Sequence, residues 1–388
     1  MITDGQSAAA KVGGEAPVTQ RLRRAATNRA VLVEVLLELT KRCNLHCQHC
    51  YVTQGPSELS TSQVLRLLDQ AADLGCMMVT LTGGEIMLRS DWLTVAAAVR
   101  ERRMSLNVFT NGTLLEWETA AKLAKLKPIF VGVSLYGPHA RTHDAVTGVP
   151  GSFERSVRAI RMLRSLGVRV QVKNVLMNIN APFMLETEDF AKSMGCEYVF
   201  DPTVGPKANG DQSVLVQRVH GEALFNFYRD LASRKPEMLR ENPVKAAALA
   251  GEAHNCSAGF ASLTIEADGS AYPCMGLPPS WGNLRDMALG EIWQGPEAER
   301  FREIMRRPLV QCSQCDDRVY CSLRCPRLAR VEDGDALGPS SRACELAKVA
   351  RQVHETFSSR EVSNRLAVES GGEVTLYEEG VREAVYRE

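Results

Sequence analysis

Ten of the twelve cysteines in this 388-residue chain fall into two groups whose spacing is typical of metal ligands. The first group lies in the segment KRCNLHCQHCY and has the spacing CX3CX2C, formed by Cys43, Cys47 and Cys50. The second group contains Cys256, Cys274, Cys312, Cys315, Cys321, Cys325 and Cys344. Clustered thiolates in a reducing compartment more often bind metal than pair as disulfides. The sequence therefore predicts metal chemistry at two places.

The composition excludes several functional classes. Lys and Arg total 46 and Asp and Glu total 46, so the formal charge is zero and no bulk field attracts nucleic acid or an anionic membrane. Residues 1–17 lack the apolar core of a signal peptide, and no apolar run approaches the ~18 residues of a membrane span. We therefore expect a cytoplasmic protein without a nucleic-acid or membrane partner.

The elements that position the first cysteine group form an α/β pattern. After a short basic helix at 20–29, apolar runs alternate with amphipathic stretches, which predicts parallel strands joined by crossover helices. Six strands are expected, at 31–39, 77–81, 106–109, 129–135, 168–176 and 198–200. Helices are expected at 62–74 and 153–166, with Ser60 or Thr61 and Ser152 as N-caps and Gly75 and Gly167 at the C-termini. The predicted fold is a partial (βα)6 TIM-like barrel or an open sheet.

The second cysteine group follows a change of pattern. Helical stretches at about 215–233 and a connector lead to a hairpin at 263–272 with an Asp-Gly turn, a broken helix at 287–305 and a helix near 345–357. We expect an N-terminal lead-in (1–30), a core (31–235), a small domain with little apolar core that metal stabilises (236–357), and a charged tail (358–388). An edge strand at 374–377 is a further possibility.

The first cysteine group lies directly after the first predicted strand, at the rim where parallel α/β folds assemble their sites. Three thiolates leave one position open in a tetrahedral zinc site or a cubane cluster, and an open position indicates chemistry. The alternatives are a zinc knuckle that uses His46 or His49, or buried thiols.

Together with Tyr51 and the turn Gly83-Gly84-Glu85 after the second strand, this CX3CX2C segment resembles the radical S-adenosylmethionine (radical SAM) superfamily. The resemblance implies a [4Fe–4S] cluster on Cys43, Cys47 and Cys50, whose fourth iron chelates S-adenosylmethionine. One electron then releases a 5′-deoxyadenosyl radical that abstracts hydrogen from a substrate. Gly83, Gly84 and Glu85 would meet the methionine amino group, although Ile86 replaces the usual proline.

Later strand ends supply further cofactor candidates. The resemblance places Ser134 on the ribose hydroxyls, with Tyr136 where many relatives have aspartate. Asn111, within Thr110-Asn111-Gly112, is expected to line the cofactor. On strand five, Lys173, Asn174 and Asn178 would contact the adenosine or be solvated. The loop after strand four carries His139, His143, Asp144 and Thr147. A His-Asp pair among them would act as general acid and base or, in the favoured interpretation, brace the exposed loop.

The CX2C pairs of the second group would alone indicate zinc, but the full spacing with Gly269 resembles the seven-cysteine SPASM extension of radical enzymes that modify peptides and proteins. The resemblance implies a nearer auxiliary cluster on Cys256, Cys274 and Cys325, and a farther one on Cys312, Cys315, Cys321 and Cys344. The fourth ligand of the nearer cluster is open, with His254, Asp268 and Cys196 as options. Cys76 and Cys196 are otherwise interpreted as buried side chains.

Auxiliary clusters suit a net oxidation, so the leading hypothesis is an oxidative peptide maturase that forms a cross-link or oxidised residue. Its partners would be a peptide or protein substrate, an electron donor such as flavodoxin or ferredoxin, and a separate leader-binding protein, since only about thirty residues precede the first strand. Met275 stands where sulfatase maturases have a general-base aspartate, which weakens that alternative. A small-molecule oxidase, such as a tetrapyrrole side-chain decarboxylase or an alcohol dehydrogenase, and a zinc-stapled scaffold also remain. The substrate, the bond formed, the general base and the oligomeric state stay open.

Overall fold

The polypeptide forms one open, mostly parallel sheet with helices packed against it. The computed structural model describes residues 18–53, 55, 57–239, 256–307, 309–321, 325–336 and 338–369. Its strands are β1 (Glu34–Glu38), β2 (Met78–Thr82), β3 (Ser105–Thr110), β4 (Phe130–Ser134), β5 (Val170–Val175), β6 (Glu197–Asp201), β7 (Ser262–Ile265), β8 (Ser270–Tyr272) and β9 (Gly282–Asn283).

The strand order is β6-β5-β4-β3-β2-β1-β7-β8-β9. In this spatial order, the seven strands from β6 through β1 to β7 pair in parallel. The last two strands, β8 and β9, each pair antiparallel with the strand before them. The six strands predicted from the sequence are confirmed. Because β6 pairs only with β5 in the described sheet, the barrel is not closed.

Helices form most of the connections between the parallel strands and much of the C-terminal half of the described chain. In the described residues they are α1 (Val18–Arg29), α2 (Thr61–Asp73), α3 (Trp92–Glu101), α4 (Trp117–Lys125), α5 (Ala140–Thr147), α6 (Ser152–Ser165), α7 (Met184–Ser193), α8 (Gly221–Arg234), α9 (Leu289–Gln294), α10 (Pro296–Met305), α11 (Val310–Ser313), α12 (Pro326–Glu332) and α13 (Ser341–Glu369). Short 3-10 turns lie at Ile86–Leu88, Ala181–Phe183, Ser213–Gln217, Pro236–Leu239 and Asp316–Val319.

Local sequence explains the ends of α2 and α6. Ser60, one of the two predicted caps, is the N-cap of α2 and also forms a capping box with Gln63. Gly75 and Gly167 follow the two helices with φ of 83° and 76°, as predicted. The prediction of Ser152 as the N-cap of α6 is wrong. The structure makes Ser152 the first helical residue, because the left-handed Gly151 turns the chain into the helix.

The predicted hairpin β7–β8 is present, but its position was not foreseen. β7 lies beside β1, with Leu263 opposite Val35 and Ile265 opposite Leu37. The apolar side chains of β7 and of the broken helix α9–α10 join the main core under the sheet, with Trp293 as the largest contributor. The expectation of little apolar core in this half is therefore wrong for the hairpin and α9–α10.

The C-terminal predictions are partly outside the described residues. The helix predicted near 345–357 is longer and runs from Ser341 to Glu369 as α13. The connector before residue 256 and the strand at 374–377 lie outside the described residues. None of the described helices is both long enough and apolar enough to cross a membrane.

Candidate metal centre

The first cysteine group borders a cavity at the carboxyl end of β1. Cys43, Cys47 and Cys50 line this cavity, which has a volume of about 450 Å³ and lies within the ordinary size range of ligand pockets. Its opposite wall comes from the segment after β6, including Lys207 and Val214. The structure therefore brings the three thiols to one concave site, as the spacing predicted.

The turn Gly83-Gly84-Glu85 packs directly on the cysteine loop. Gly84 donates a backbone hydrogen bond of 2.8 Å to the Thr40 carbonyl, and Glu85 donates one of 2.8 Å to the Arg42 carbonyl. A Cβ on Gly83 would overlap the Thr40 carbonyl, and one on Gly84 would overlap the Arg42 carbonyl. Both glycines are thus required by the close approach of the turn to the cysteine loop, whatever ligand the turn also meets.

Glu85 ties this turn to the end of β3. Its carboxylate is fully buried and accepts hydrogen bonds from the Thr110 hydroxyl (2.8 Å), the Asn111 backbone (2.7 Å) and the Met87 backbone (3.1 Å). Burial raises the pKa of Glu85, and these hydrogen bonds oppose the shift. The side chain is therefore occupied within the protein, which leaves the backbone of the turn to meet a ligand.

Asn111 lies against the first cysteine. Its Nδ2 is 3.9 Å from the Sγ of Cys43 and 3.0 Å from the Oδ1 of Asn44. Its Oδ1 accepts hydrogen bonds from the backbone and hydroxyl of Thr113. Asn111 thus orients the start of the cysteine loop. The sequence predicted Asn111 as a cofactor-lining residue but did not predict this contact.

Ser134 and Lys173 are neighbours in register on β4 and β5. The Lys173 ammonium lies 4.8 Å from the centre of the Phe109 ring, and burial lowers its pKa to about 8, against the carboxylates of Asp201 and Glu197. The structure places Lys173 on the same face of the sheet as Ser134.

Tyr136, at the position where the resemblance leads one to expect aspartate, packs against the cysteine loop. Its ring meets His49 edge-on with the centres 4.8 Å apart. Burial raises the pKa of its hydroxyl, with further contributions from Cys47 and a hydrogen bond to Ser134 that opposes the shift. The departure from aspartate therefore places an aromatic wall behind Cys47.

Other polar candidates have structural roles. Asn174 is buried and donates to the Tyr198 hydroxyl, whereas Asn178 donates to the Val216 carbonyl. Asp144 accepts hydrogen bonds from the backbones of Gly151 (2.7 Å) and Phe153 (2.8 Å) at the start of α6.

His143 accepts a hydrogen bond from the Tyr136 backbone at 3.1 Å through Nδ1. Burial lowers the pKa of His143 to about 4. The favoured interpretation of His143 and Asp144 as a loop brace therefore agrees with these contacts, since each residue is engaged with backbone.

The thiols of the first group fit an iron–sulfur cluster. Burial raises the pKa of the Cys43, Cys47 and Cys50 thiols, so a metal cation is needed to hold them as thiolates. Across the described ranges, no three Cys, His, Asp or Glu side chains form the compact ligand set of a single metal ion. The three thiols instead surround a cavity, which matches the donor set and the room that a cluster with one open corner requires.

The second group gathers at two adjoining places. Cys274 lies close enough to Cys256 for their charges to raise its pKa, after the larger effect of burial, and Cys325 is affected by Cys274 in the same way. One small cavity is bordered by Cys312, Cys321, Cys325 and Cys344. The charge of Cys315 raises the pKa of Cys344, after the larger effect of burial. Cys325 therefore stands where the two predicted ligand sets meet.

The candidate fourth ligands of the nearer set have separate positions. Asp268 accepts from the Lys41 ammonium at 3.3 Å and from the Ser270 backbone at 3.0 Å. Cys196 precedes β6 at the amino edge of the parallel sheet, opposite to the edge of the cysteine loop, and its thiol contacts the Met194 carbonyl. His254 lies outside the described residues.

Sequence reasoning missed a network between the cysteine loop and the hairpin. Lys41 binds Glu266 at 2.6 Å as well as Asp268, and Glu38 on β1 is buried beside them. Leu59 donates to the Ala267 carbonyl at 2.7 Å, so both flanks of the loop are attached to the β7–β8 turn. The only signal in the sequence was the presence of charged residues at the end of an otherwise apolar first strand.

The open, mostly parallel α/β sheet, the thiol-lined cavity at its carboxyl edge and the second group of thiols fit an iron–sulfur protein. Residues 37–193 match the radical SAM superfamily, and residues 256–316 match the SPASM iron-sulfur cluster-binding domain. The chain is a radical SAM enzyme with a SPASM domain, and its cofactors are a [4Fe–4S] cluster, S-adenosylmethionine and auxiliary iron–sulfur clusters. The non-enzymatic zinc scaffold is thereby set aside.

The similar proteins include AdoMet-dependent heme synthases and PqqA peptide cyclases. The chain is 28% identical to an AdoMet-dependent heme synthase of Methanosarcina barkeri (strain Fusaro / DSM 804), covering 77% of this chain and 93% of that protein. It is 26% identical to a PqqA peptide cyclase of Granulibacter bethesdensis (strain ATCC BAA-1260 / CGDNIH1), covering 84% and 90%. The structure of Streptococcus suis SuiB bound to precursor peptide SuiA superposes with a TM-score of 0.64 at 16% identity, covering 88% of this chain and 85% of SuiB. This last likeness concerns the fold.

Proposed function

We propose that this enzyme oxidatively modifies a peptide or protein, by forming a cross-link or an oxidised residue. The observation that carries the proposal is the proximity of the SPASM cysteines to one another. Cys312, Cys321, Cys325 and Cys344 border one small cavity. Cys274 lies within charge range of Cys256 and Cys325, and Cys315 within charge range of Cys344. Two sets of thiols provide for two auxiliary clusters. Two clusters suit a reaction in which the substrate must lose an electron after it has lost a hydrogen atom.

The proposal assigns Cys43, Cys47 and Cys50 to the first cluster, Cys256, Cys274 and Cys325 to the nearer auxiliary cluster, and Cys312, Cys315, Cys321 and Cys344 to the farther one. When bound, the first cluster and S-adenosylmethionine supply a 5′-deoxyadenosyl radical. The backbone of Gly83, Gly84 and Glu85 would meet the methionine end of the cofactor, and Asn111 would hold the cysteine loop. Ser134 and Lys173 would face its ribose and adenine end. The proposed core and SPASM regions span 31–235 and 236–357.

The proposed oxidation balances as follows. The substrate gives one hydrogen atom to the deoxyadenosyl radical, which leaves as 5′-deoxyadenosine. It then loses one electron to the auxiliary clusters and one proton to a base or to water as the new bond forms. An external donor, a flavodoxin or ferredoxin, supplies the electron that cleaves S-adenosylmethionine, and a separate protein that binds the leader peptide would deliver the substrate.

The charges of the cavity support a peptide over a polyanionic small molecule. Among the described residues that line it, the lysines are Lys41 and Lys207, and each is already paired with carboxylates. Glu266 and Asp268 hold Lys41, and Asp211 holds Lys207 at 2.7 Å. Because both lysines are already paired, neither is free to bind the propionate groups of a tetrapyrrole.

A tetrapyrrole side-chain decarboxylase is the second candidate function, because of the similarity to AdoMet-dependent heme synthases. Radical decarboxylation is also a net oxidation and would use the same clusters. An alcohol dehydrogenase and a sulfatase-maturase-like activity have no specific observation in their favour.

Anaerobic incubation of the reconstituted enzyme, a reductant and S-adenosylmethionine with candidate substrates tests the proposal. Short peptides encoded beside the gene and a propionate-bearing iron porphyrin are offered in parallel, and mass spectrometry reads the products. We expect a peptide to lose two hydrogen atoms while 5′-deoxyadenosine forms in equal amount. Loss of carbon dioxide from the porphyrin with every peptide unchanged would instead establish the second candidate.

A further inference from the structure

We propose that the guanidinium of Arg327 is the charge partner of the nearer auxiliary cluster and raises its reduction potential. Arg327 follows Cys325 by two positions, in the first turn of α12. This inference rests on the proposed assignment of Cys256, Cys274 and Cys325 to one cluster, and it adds a residue that no spacing motif assigns.

The guanidinium lies close enough to two thiols of that set for its charge to act on both. Burial raises the pKa of both Cys274 and Cys325, and the positive charge of Arg327 opposes the shift at both residues. Arginine remains protonated in proteins, so this charge is constant over the working pH range.

Two glycines make the space that holds the guanidinium. A Cβ on Gly205 would overlap its Nη1, and a Cβ on Gly276 would come to 3.4 Å from its Nε and 2.9 Å from the Ala208 Cα. Gly276 follows Cys274 by two positions, so the loop that carries this thiol also forms the wall of the guanidinium site. A side chain at either position would displace the charge from the thiols.

The guanidinium keeps donor capacity inside this site. Its Nη2 donates to the Pro206 carbonyl, whereas its Nε is buried and has no hydrogen-bond partner among the described residues. A buried N–H without an acceptor is costly. A thiolate or sulfide of a cluster at Cys274 and Cys325 is the acceptor that the surroundings provide.

Arg327 also lies within charge range of Tyr51, the residue that follows the first cysteine group. Its charge lowers the pKa of Tyr51, although burial, the largest effect, raises it. The Tyr51 carbonyl accepts a hydrogen bond of 2.8 Å from Ala208, the residue against which Gly276 packs. The guanidinium therefore lies near both the residue that follows the first cysteine group and the thiols of the nearer set.

A fixed positive charge next to a cluster stabilises the reduced form, which carries one more negative charge. The nearer cluster then accepts an electron more readily than three thiolates alone would allow. This makes Arg327 a determinant of the driving force for substrate oxidation, without direct contact with the substrate.

The experiment is a redox titration of the reconstituted full-length enzyme, followed by electron paramagnetic resonance, for wild type, Arg327→Gln, Arg327→Lys and Arg330→Gln. Arg330 is the matched control, because it is exposed on the same helix and its Nη1 only approaches the Gly334 carbonyl at 3.3 Å. Iron content and the signal of the first cluster are measured in every sample.

Arg327→Gln should favour the oxidised form of the nearer cluster about tenfold, a shift of about 59 mV to more negative potential for a one-electron couple. Arg327→Lys should stay near the wild type, and Arg330→Gln should match it. An unchanged potential in Arg327→Gln, or loss of auxiliary iron in both Arg327 variants, would overturn the inference. The ligand assignment is tested separately by Cys274→Ala, since an auxiliary signal that survives this change contradicts the assignment and not the role of the charge.

Discussion

The hydroxyl of Tyr51 donates a hydrogen bond of 3.0 Å to the carboxylate of Glu38. This contact joins the residue after the last cysteine of the CX3CX2C loop to the strand that precedes the loop. Glu38 is buried on the face of β1 that Glu266 shares, and burial, followed by the charge of Glu266, raises its pKa to about 7. Lys41 and the Tyr51 hydroxyl oppose this shift, and Asp268 adds to it.

Replacement of Glu38 by Gln should remove a pH dependence of stability. The folded pKa of about 7 exceeds the ordinary value of 4.5, so the stabilising contribution is complete below pH 4.5 and is lost as the pH rises past 7. Relative to wild type, Glu38→Gln should therefore gain roughly 3 kcal/mol between pH 4.5 and pH 8. Anaerobic denaturation at several pH values measures the difference. Glu118→Gln, at an exposed site, should show no comparable trend, and parallel curves for wild type and Glu38→Gln would contradict the assignment.

Replacement of Cys43, Cys47 and Cys50 by alanine should remove about four iron atoms of an expected twelve per chain. Formation of 5′-deoxyadenosine should cease, because the cofactor then has no cluster to bind, while the auxiliary signals persist. Iron analysis and chromatography of the nucleoside measure these outcomes. Cys76→Ala is the control, since this buried thiol contacts the Met78 carbonyl and should keep all the iron. Deoxyadenosine from the triple variant would refute the site.

Substitution of Gly84 by Ala should prevent correct assembly of the first cluster. The added Cβ would overlap the Arg42 carbonyl, so the turn and the cysteine loop cannot both keep their positions. We expect iron to fall by about four atoms per chain and the protein to lose more than about 1 kcal/mol of stability. Gly290→Ala is matched, because its Cβ would meet only Leu74 at 3.8 Å. Normal iron loading of Gly84→Ala would show that the loop adapts.

Replacement of Asp144 by Ala should destabilise the protein without stopping S-adenosylmethionine cleavage. The carboxylate accepts from the backbones of Gly151 and Phe153 and from the Ser152 hydroxyl, and their loss is expected to cost about 1–3 kcal/mol. Its pKa is lowered by these hydrogen bonds in spite of burial, so this stability is lost as the pH falls. Thermal unfolding and nucleoside formation are compared below the unfolding temperature. A folded Asp144→Ala enzyme that still forms 5′-deoxyadenosine but no longer modifies its substrate would restore the acid–base interpretation.

Local pattern was sufficient for much of the fold. The first six strands are apolar runs, and the Ser60–Gln63 capping box is encoded within four residues. What failed depended on contacts between distant segments. The N-terminus of α6 is held by Asp144, eight residues before Ser152, and the hairpin strand β7 finds its partner β1 more than two hundred residues earlier.

The candidate site, like the fold, could be predicted from the sequence only in part. Spacing alone grouped the thiols of the first site, and the structure gathers those thiols around one cavity. Spacing could not predict that the glycines of the Gly83-Gly84 turn are needed for contact with the cysteine loop, or that Arg327 occupies the space left by Gly205 and Gly276. These relations depend on side-chain volume and direction in the folded chain, which a linear motif does not encode.

The parallel pairing of β7 with β1 has a consequence for any attempt to shorten the enzyme. A fragment that ends before residue 256 would keep the pairing of β1 with β2 but would expose the other edge of β1, on the strand that leads into the cysteine loop. Exposed strand edges promote association with other chains, so such a fragment is expected to aggregate before it can be loaded with iron. The strand that leads into the cysteine loop therefore depends on a partner more than two hundred residues later, so the two cysteine-bearing halves are expected to fold as one unit.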